Sequence, residues 1–312
     1  MGARIEAASA LASHGWHQPT ARRLADTAAR ECLARAGRGA GDVDLLINAG
    51  VYREDNMGEP ALAALVQEDI GANLGHPANG GHGTFFFDLA NGACGVISAI
   101  HLQAGLLRSG VIRLGLIVTS DVDPGHDGNG SDLVRPTGGA LLLGWDDTIA
   151  GFTDFHVETF PEYESLLTSG LTWHARRGPH VPLAGAGHSQ MVVNEQPGYQ
   201  ARCADCAREA TGRFLGRLGM SIGEIDLLVP APAAPEFLDR LRVGLGVPGD
   251  RVAFTAENMA GAYTSGPIAA LEAARRSGRL GEARTVLLLA AGAGITVTLA
   301  LYRQTPPGAV PF

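Results

Sequence analysis

Gly41-Asp42-Val43-Asp44-Leu45-Leu46-Ile47-Asn48-Ala49 reads as a turn, an acid and a short unbroken apolar strand. The same pattern returns as Gly223-Glu224-Ile225-Asp226-Leu227-Leu228-Val229-Pro230-Ala231. Strands with no polar alternation are buried on both faces, as in parallel sheets covered by helices. Each copy follows a long amphipathic helix, near residues 19–37 and 198–219, and precedes a second helical segment, near 58–73 and 235–245. Later in each half a helix (94–109; 264–277) leads to an apolar strand (112–120; 284–291). A glycine-rich strand closes each half: Thr137-Gly138-Gly139-Ala140-Leu141-Leu142-Leu143, and Ala291-Gly292-Ala293-Gly294-Ile295-Thr296-Val297-Thr298. A match in this order predicts an α/β protein of two similar halves, with mostly parallel mixed sheets around buried helices. The halves are expected at 1–165 and 166–312. Pro161, Pro179, Pro182 and several glycines break every period between 160 and 195.

The composition agrees with a globular chain. Of 312 residues, 46% are apolar and 18% charged, too apolar for disorder. The net charge of −8, with basic residues no more clustered than pairs such as Arg22-Arg23, argues against nucleic-acid binding. No stretch approaches the roughly 18 to 20 apolar residues of a membrane span. The N-terminal Met1-Gly2-Ala3-Arg4-Ile5-Glu6 lacks the pattern of a signal sequence. Four cysteines make no disulfide framework, and Cys203-x-x-Cys206 has no second pair to complete a zinc site. A cytoplasmic protein without metal or cofactor is expected. Gly292-Ala293-Gly294 lies between two strands rather than before a helix, which argues against dinucleotide binding.

Cys94 stands where a strand hands over to a helix, in Thr84-Phe85-Phe86-Phe87-Asp88-Leu89-Ala90-Asn91-Gly92-Ala93-Cys94-Gly95-Val96-Ile97-Ser98. The aromatic run reads as strand; Val96, Ile97, Ile100, Ala104 and Leu107 read as a helix ending at Ser109-Gly110. A thiol in the first turn of a helix feels unpaired N–H groups and the positive end of the dipole, which favour the thiolate. On position alone Cys94 reads equally well as a small core residue, since free cysteine is among the most buried types.

Taken in order, these pieces resemble the thiolase fold and, within it, the β-ketoacyl-acyl-carrier-protein synthase III family. The resemblance is carried by several segments. They are Gly58-Glu59-Pro60 leading to Gly71, the elbow from Asp88 to Gly95, and Ser109-Gly110 leading into Leu116–Ser120. Gly138-Gly139-Ala140, Ile225–Pro230 and Gly292–Thr296 complete them. The resemblance implies that Cys94 takes an acyl group from a thioester, and that the N–H groups of Cys94 and Ala293 hold the oxyanion. It implies an acyl-coenzyme A or an acyl carrier protein as donor, and a place in fatty acid or polyketide biosynthesis.

The sequence also departs from the family. Ala231 stands where the family has its catalytic histidine, and no histidine follows His188. Aligned without gaps from Gly278-Arg279 backwards, the family's asparagine falls on Gly261; Asn258 lies three residues off register. In the family that pair stabilises the enolate of a decarboxylated malonyl thioester. Losing oxyanion-type donors costs at least about 3 kcal/mol. The expected function is therefore an acyltransferase that passes an acyl group from Cys94 to a small-molecule or carrier acceptor. A condensing enzyme with relocated acid–base groups and a non-catalytic partner of a ketosynthase are the alternatives. The region before the first long helix is short, so the donor-binding entrance is expected to differ.

The remaining candidates are weaker. His82, His126, His174, His180 and His188 lie in loop-like surroundings that suit exposed side chains as well as a general base. Asp121-Val122-Asp123 with Asp127 and Asp132 fits no calcium-loop spacing and reads as a flexible loop. Tyr263 and Ser265 could donate hydrogen bonds to an acceptor, or Thr264 or Ser265 could cap a helix. The 112–120 strand is the expected edge for a homodimer, with a heterodimer with a homologous synthase as alternative.

Overall fold

The structure, a computed structural model, describes residues 2–13, 19–54, 58–75, 83–123, 134–147, 150–175, 187–231, 234–253 and 262–304, with backbone only at 174–175 and 187–191. The first half runs β1 (Gly2–Ala12), α1 (Ala21–Ala36), β2 (Leu45–Asn48), α2 (Leu62–Ile70), β3 (Phe85–Asp88), α3 (Gly95–Arg108), β4 (Leu114–Asp121) and β5 (Thr137–Asp146). The chain continues through β6 (Gly151–Thr159) and a separate hairpin of β7 (Leu167–Ala175) and β8 (Gly187–Glu195). It ends with α4 (Tyr199–Arg217), β9 (Leu227–Ala231), α5 (Pro235–Leu245), α6 (Gly266–Arg276), α7 (Arg279–Glu282), β10 (Thr285–Gly292) and β11 (Thr296–Arg303).

Nine strands form one sheet in the order β3-β2-β4-β5-β1-β6-β11-β10-β9. The pairings are mixed. β3–β2, β2–β4 and β9–β10 run parallel, and the long strands between them run antiparallel. The two halves mirror each other about the β1–β6 junction, where Ala3 and Phe152 make the single register contact. By its pairing with β11, β6 goes with the C-terminal half.

The repeated acid has a structural reason. Asp44 Oδ2 accepts from the backbone N–H groups of Arg113 (2.7 Å) and Leu114 (3.1 Å), at the start of β4. Asp226 Oδ2 accepts from those of Arg284 (2.9 Å) and Thr285 (3.0 Å), at the start of β10. Each acid thus fixes the register of the parallel strand beside its own.

The apolar strands are sandwiched as their lack of alternation requires. Leu116 and Val118 pack with α1 and α2, while Ile117 packs with α3. In the second half Leu287 and Leu289 pack with α4 and α5, and Leu288 and Ala290 face the layer holding α3 and α6. The amphipathic α1 shows how sequence sets this up. Thr20 caps it by accepting from Arg23 N–H at 3.1 Å, Gly37 ends it in a left-handed conformation, and Leu24, Ala25, Ala28, Ala29 and Cys32 form its buried stripe.

One expectation is corrected. The 112–120 strand is no edge: all eight residues of β4 are buried, and β2 and β5 flank it. The edge beside the Cys94 helix is β3, where Phe85 is 64% exposed. Among the described residues no helix is long and apolar enough to cross a membrane.

Candidate active site around Cys94

β3 delivers the chain to a short 3-10 turn, Gly92–Cys94, that runs directly into α3. Asp88, at the end of β3, accepts from Leu62 N–H (2.9 Å) and Ala63 N–H (2.8 Å), so this motif acid caps α2. Asn91 Nδ2 donates to Ser98 Oγ at 3.0 Å, and Ser98 Oγ donates to the Cys94 carbonyl at 2.9 Å, which staples the elbow. The Cys94 N–H itself donates to Asn91 O at 3.0 Å.

The sulfur points at the carboxyl-terminal hairpin. Cys94 Sγ lies 3.3 Å from Thr296 O and 3.7 Å from Ala290 O, both acceptors for the thiol proton. A side chain at Gly292 would begin 3.4 Å from the sulfur and about 4 Å from the Cys94 nitrogen, which places the hairpin in van der Waals contact with the thiol. Ala293 follows at the exposed head of the turn. Thr298, 1% exposed, stands on β11 opposite Ala290.

Cys94 is 1% exposed, and burial pushes its thiol up to about 11, with the side chain and backbone of Thr298 opposing that rise. The expectation that the helix end alone would lower the thiol pKa is therefore corrected. A dipole contributes only tenths to one kcal/mol, which desolvation of a thiolate exceeds. The sequence reading missed Thr298. Its signal was the pair Thr296 and Thr298, on one side of an otherwise apolar strand.

A second group of side chains borders the elbow. A side chain at Gly92, which has φ of +49°, would meet the Tyr263 hydroxyl oxygen at 2.8 Å. Burial raises the phenol pKa of Tyr263, and the backbone of Ala93, one residue from Cys94, opposes that rise. The rings of Tyr52 and Tyr263 lie 5.2 Å apart. Asp121, fully buried, clamps both tyrosine segments: Oδ1 accepts from Val51 N–H (3.2 Å) and Tyr52 N–H (3.0 Å), and Oδ2 from Thr264 N–H (2.9 Å) and Thr264 Oγ1 (2.5 Å). Asp121 is thus a structural acid and not part of a flexible loop; residues 124–133 lie outside the described residues.

The structure also locates the missing partners. Ala231 pairs with Ala290 in the β9–β10 ladder and belongs to the same core cluster as Cys94, so the position that the resemblance gives to the histidine carries only a methyl group. Asn258 and Gly261 lie outside the described residues, as do His82, His126 and His180. His174 and His188 are backbone register partners of β7 and β8, in the hairpin apart from the main sheet. Ser265 bonds Thr119 at 2.9 Å, both fully buried, and is not turned toward an acceptor. All four cysteines are free, and among the described residues no group of three or more ligating side chains could hold a metal.

Comparison with known proteins agrees with this arrangement. Residues 215–304 match the family model described as 3-oxoacyl-[acyl-carrier-protein] synthase III, C terminal. The β-ketoacyl-[acyl-carrier-protein] synthase III of Acidiphilium cryptum is 27% identical over 291 residues, covering 91% of this chain and 84% of its own. That of Bordetella petrii is 29% identical over 295 residues, covering 90% and 81%. The chain is ketoacyl synthase III-like.

Solved structures show the same fold for this ketoacyl synthase III-like chain, the thiolase fold. The Pseudomonas aeruginosa 3-oxoacyl-(acyl carrier protein) synthase III superimposes with a TM-score of 0.74 at 20% identity, covering 100% of both chains. Xanthomonas campestris OleA, with bound lauric acid and lauroyl-CoA, superimposes with a TM-score of 0.77 at 16% identity, covering 97% and 99%. Over most of its length the chain is thus similar to β-ketoacyl-[acyl-carrier-protein] synthases III, and it has their fold.

Proposed function

We propose that this chain is an acyltransferase that forms an acyl-Cys94 thioester and hands the acyl group to an oxygen, nitrogen or sulfur nucleophile. Ala231 carries the reading. The residue paired with Ala290, whose carbonyl oxygen meets the sulfur, offers no imidazole to stabilise an enolate, while the cysteine and its glycine-rich hairpin are retained. In the first step the Cys94 thiolate attacks the thioester carbonyl, the tetrahedral intermediate collapses, and the donor thiolate leaves and takes up the proton that Cys94 lost. The N–H of Ala293 serves the oxyanion, and the Cys94 N–H shares in it alongside its bond to Asn91 O. In the second step the acceptor attacks the acyl-Cys94 carbonyl, gives up its own proton and restores the thiol.

The donor is an acyl-coenzyme A or acyl carrier protein, consistent with the lauroyl-CoA bound to OleA. The working unit is a homodimer paired through β3. Its exposed Phe85, with Phe87, Leu102 and Val157, borders an apolar groove of about 620 Å³. An unpaired apolar edge of this kind calls for a covering partner.

Malonyl thioester separates the reading from its alternative. The protein, preloaded with an acyl thioester, is given malonyl-coenzyme A and released carbon dioxide is trapped. Acyl transfer without carbon dioxide release is expected. Stoichiometric release would establish a condensing enzyme instead.

A further inference from the structure

We propose that Thr298 is the residue that positions and stabilises the Cys94 thiolate, its side-chain hydroxyl turning to donate to the sulfur once the thiol proton has left. The inference deepens the acyl-Cys94 reading and rests on it for its catalytic consequence.

Three observations lead to it. In the resting thiol the sulfur faces two carbonyl oxygens, of Thr296 and Ala290. Both are acceptors that suit an S–H donor and repel a thiolate. Something nearby must supply a donor before the nucleophile can carry charge in a dry site. Thr298 lies two residues along β11 from Thr296 and opposite Ala290, so the two backbone groups that touch the sulfur belong to its immediate neighbours. Its hydroxyl is buried and has no hydrogen-bond partner among the described residues while the thiol is protonated. A buried hydroxyl without a partner costs stability, and in a native protein such a group asks for a reason. A donor waiting for the thiolate is that reason. Burial raises the thiol pKa, and Thr298 pulls it back down.

The other groups near the sulfur do not take this role. Gly292 has no side chain, Ala231 has a methyl, the Tyr263 oxygen lies against Gly92, and the one backbone group that also lowers the thiol pKa belongs to Thr298 itself.

The test compares wild type, Thr298→Val and Thr298→Ser. Valine keeps the β-branched shape and removes the hydroxyl, so the strand is retained. Two quantities are read from about pH 7 upward past the wild-type midpoint, to about pH 12. One is the rate of Cys94 alkylation by iodoacetamide, located by peptide mass spectrometry. The other is the 13Cβ shift of Cys94, which needs no access for a reagent. Thr298→Val is expected to raise the thiol titration by about one pH unit and to slow alkylation at neutral pH about tenfold. Thr298→Ser is expected to restore both. Identical titrations in wild type and Thr298→Val would overturn the inference, and the hydroxyl would then be a packing feature alone. Acylation by butyryl-coenzyme A, run alongside, keeps the two claims apart. Acylated wild type with an unchanged Thr298→Val titration removes only the role of Thr298. A shifted titration with no acylation of wild type removes only the acyl-transfer reading.

Discussion

Ala231 faces Ala290 across the parallel β9–β10 ladder, and the carbonyl oxygen of Ala290 lies 3.7 Å from Cys94 Sγ. A methyl group therefore stands on the strand beside the one whose carbonyl meets the thiol. Ala231→His is expected to install a base beside Cys94 and to raise the acylation rate at pH 7 by about 100-fold. Acyl-adduct formation followed over time checks this; an unchanged rate would mean that position 231 does not address the sulfur.

Gly92 is required twice over, by its positive φ and by the Tyr263 hydroxyl that fills the place of a side chain. Gly92→Ala is expected to cost about 1–2 kcal/mol in the backbone alone and to displace Tyr263 or the elbow. Loss of Cys94 acylation with retained far-ultraviolet circular dichroism is the expected result. Adding Tyr263→Phe, which removes the oxygen at 2.8 Å, is expected to restore part of it.

Asp44 and Asp226 make the same bonds in the two halves, but Asp44 is buried and Asp226 exposed. Asp44→Ala leaves two backbone N–H groups without acceptor away from water, a loss of about 2–3 kcal/mol, while water replaces the acceptor in Asp226→Ala and the loss is about 1 kcal/mol. Urea unfolding measures both. An equal or larger cost at Asp226 would contradict this account.

Asp26 gives the protein a pH dependence unrelated to catalysis. Its carboxyl, with one buried oxygen lacking a partner among the described residues, faces Asp69, Arg22 and Arg30 across α1 and α2. Burial first, then the hydrogen bond to Asp69, raises it from 3.8 to about 7. The folded state thus holds a proton that the unfolded chain has released, and stability falls as pH rises from about 4 through about 7. Asp69 shifts the other way through its bonds to Arg22, a contribution kept above the unfolded pKa and lost only in stronger acid. Asp26→Asn removes the first effect. The variant is expected to match wild type at about pH 4 and to exceed it by about 1–2 kcal/mol at about pH 8, after allowance for solvent screening. Parallel stability curves for the two proteins would contradict this assignment.

The sequence announced the fold because its strongest signals were local and repeated. The unbroken runs Leu45–Ile47 and Leu227–Val229 admit only strands covered on both faces, and each carries its register acid one residue ahead. The elbow at Cys94 was legible for the same reason, as a strand run, a glycine turn and a helical stripe in one segment. The edge was misread because β3 is only four residues long, while the longer 114–121 run is the more apolar. Thr298 and Asp121 were not legible as site residues. Their roles depend on partners about 200 and 140 residues away in the chain, which no spacing rule connects. The thiol pKa was misjudged because position at a helix start is visible in sequence, whereas burial of the sulfur is a tertiary property.

The most direct test of an acylated Cys94 is the intact mass of the protein after incubation with a panel of acyl-coenzyme A thioesters, wild type beside Cys94→Ala. The account predicts one acyl adduct on wild type, mapped to the Cys94 peptide and absent from the variant. Unmodified wild type with every donor, or an adduct that survives in Cys94→Ala, would contradict it.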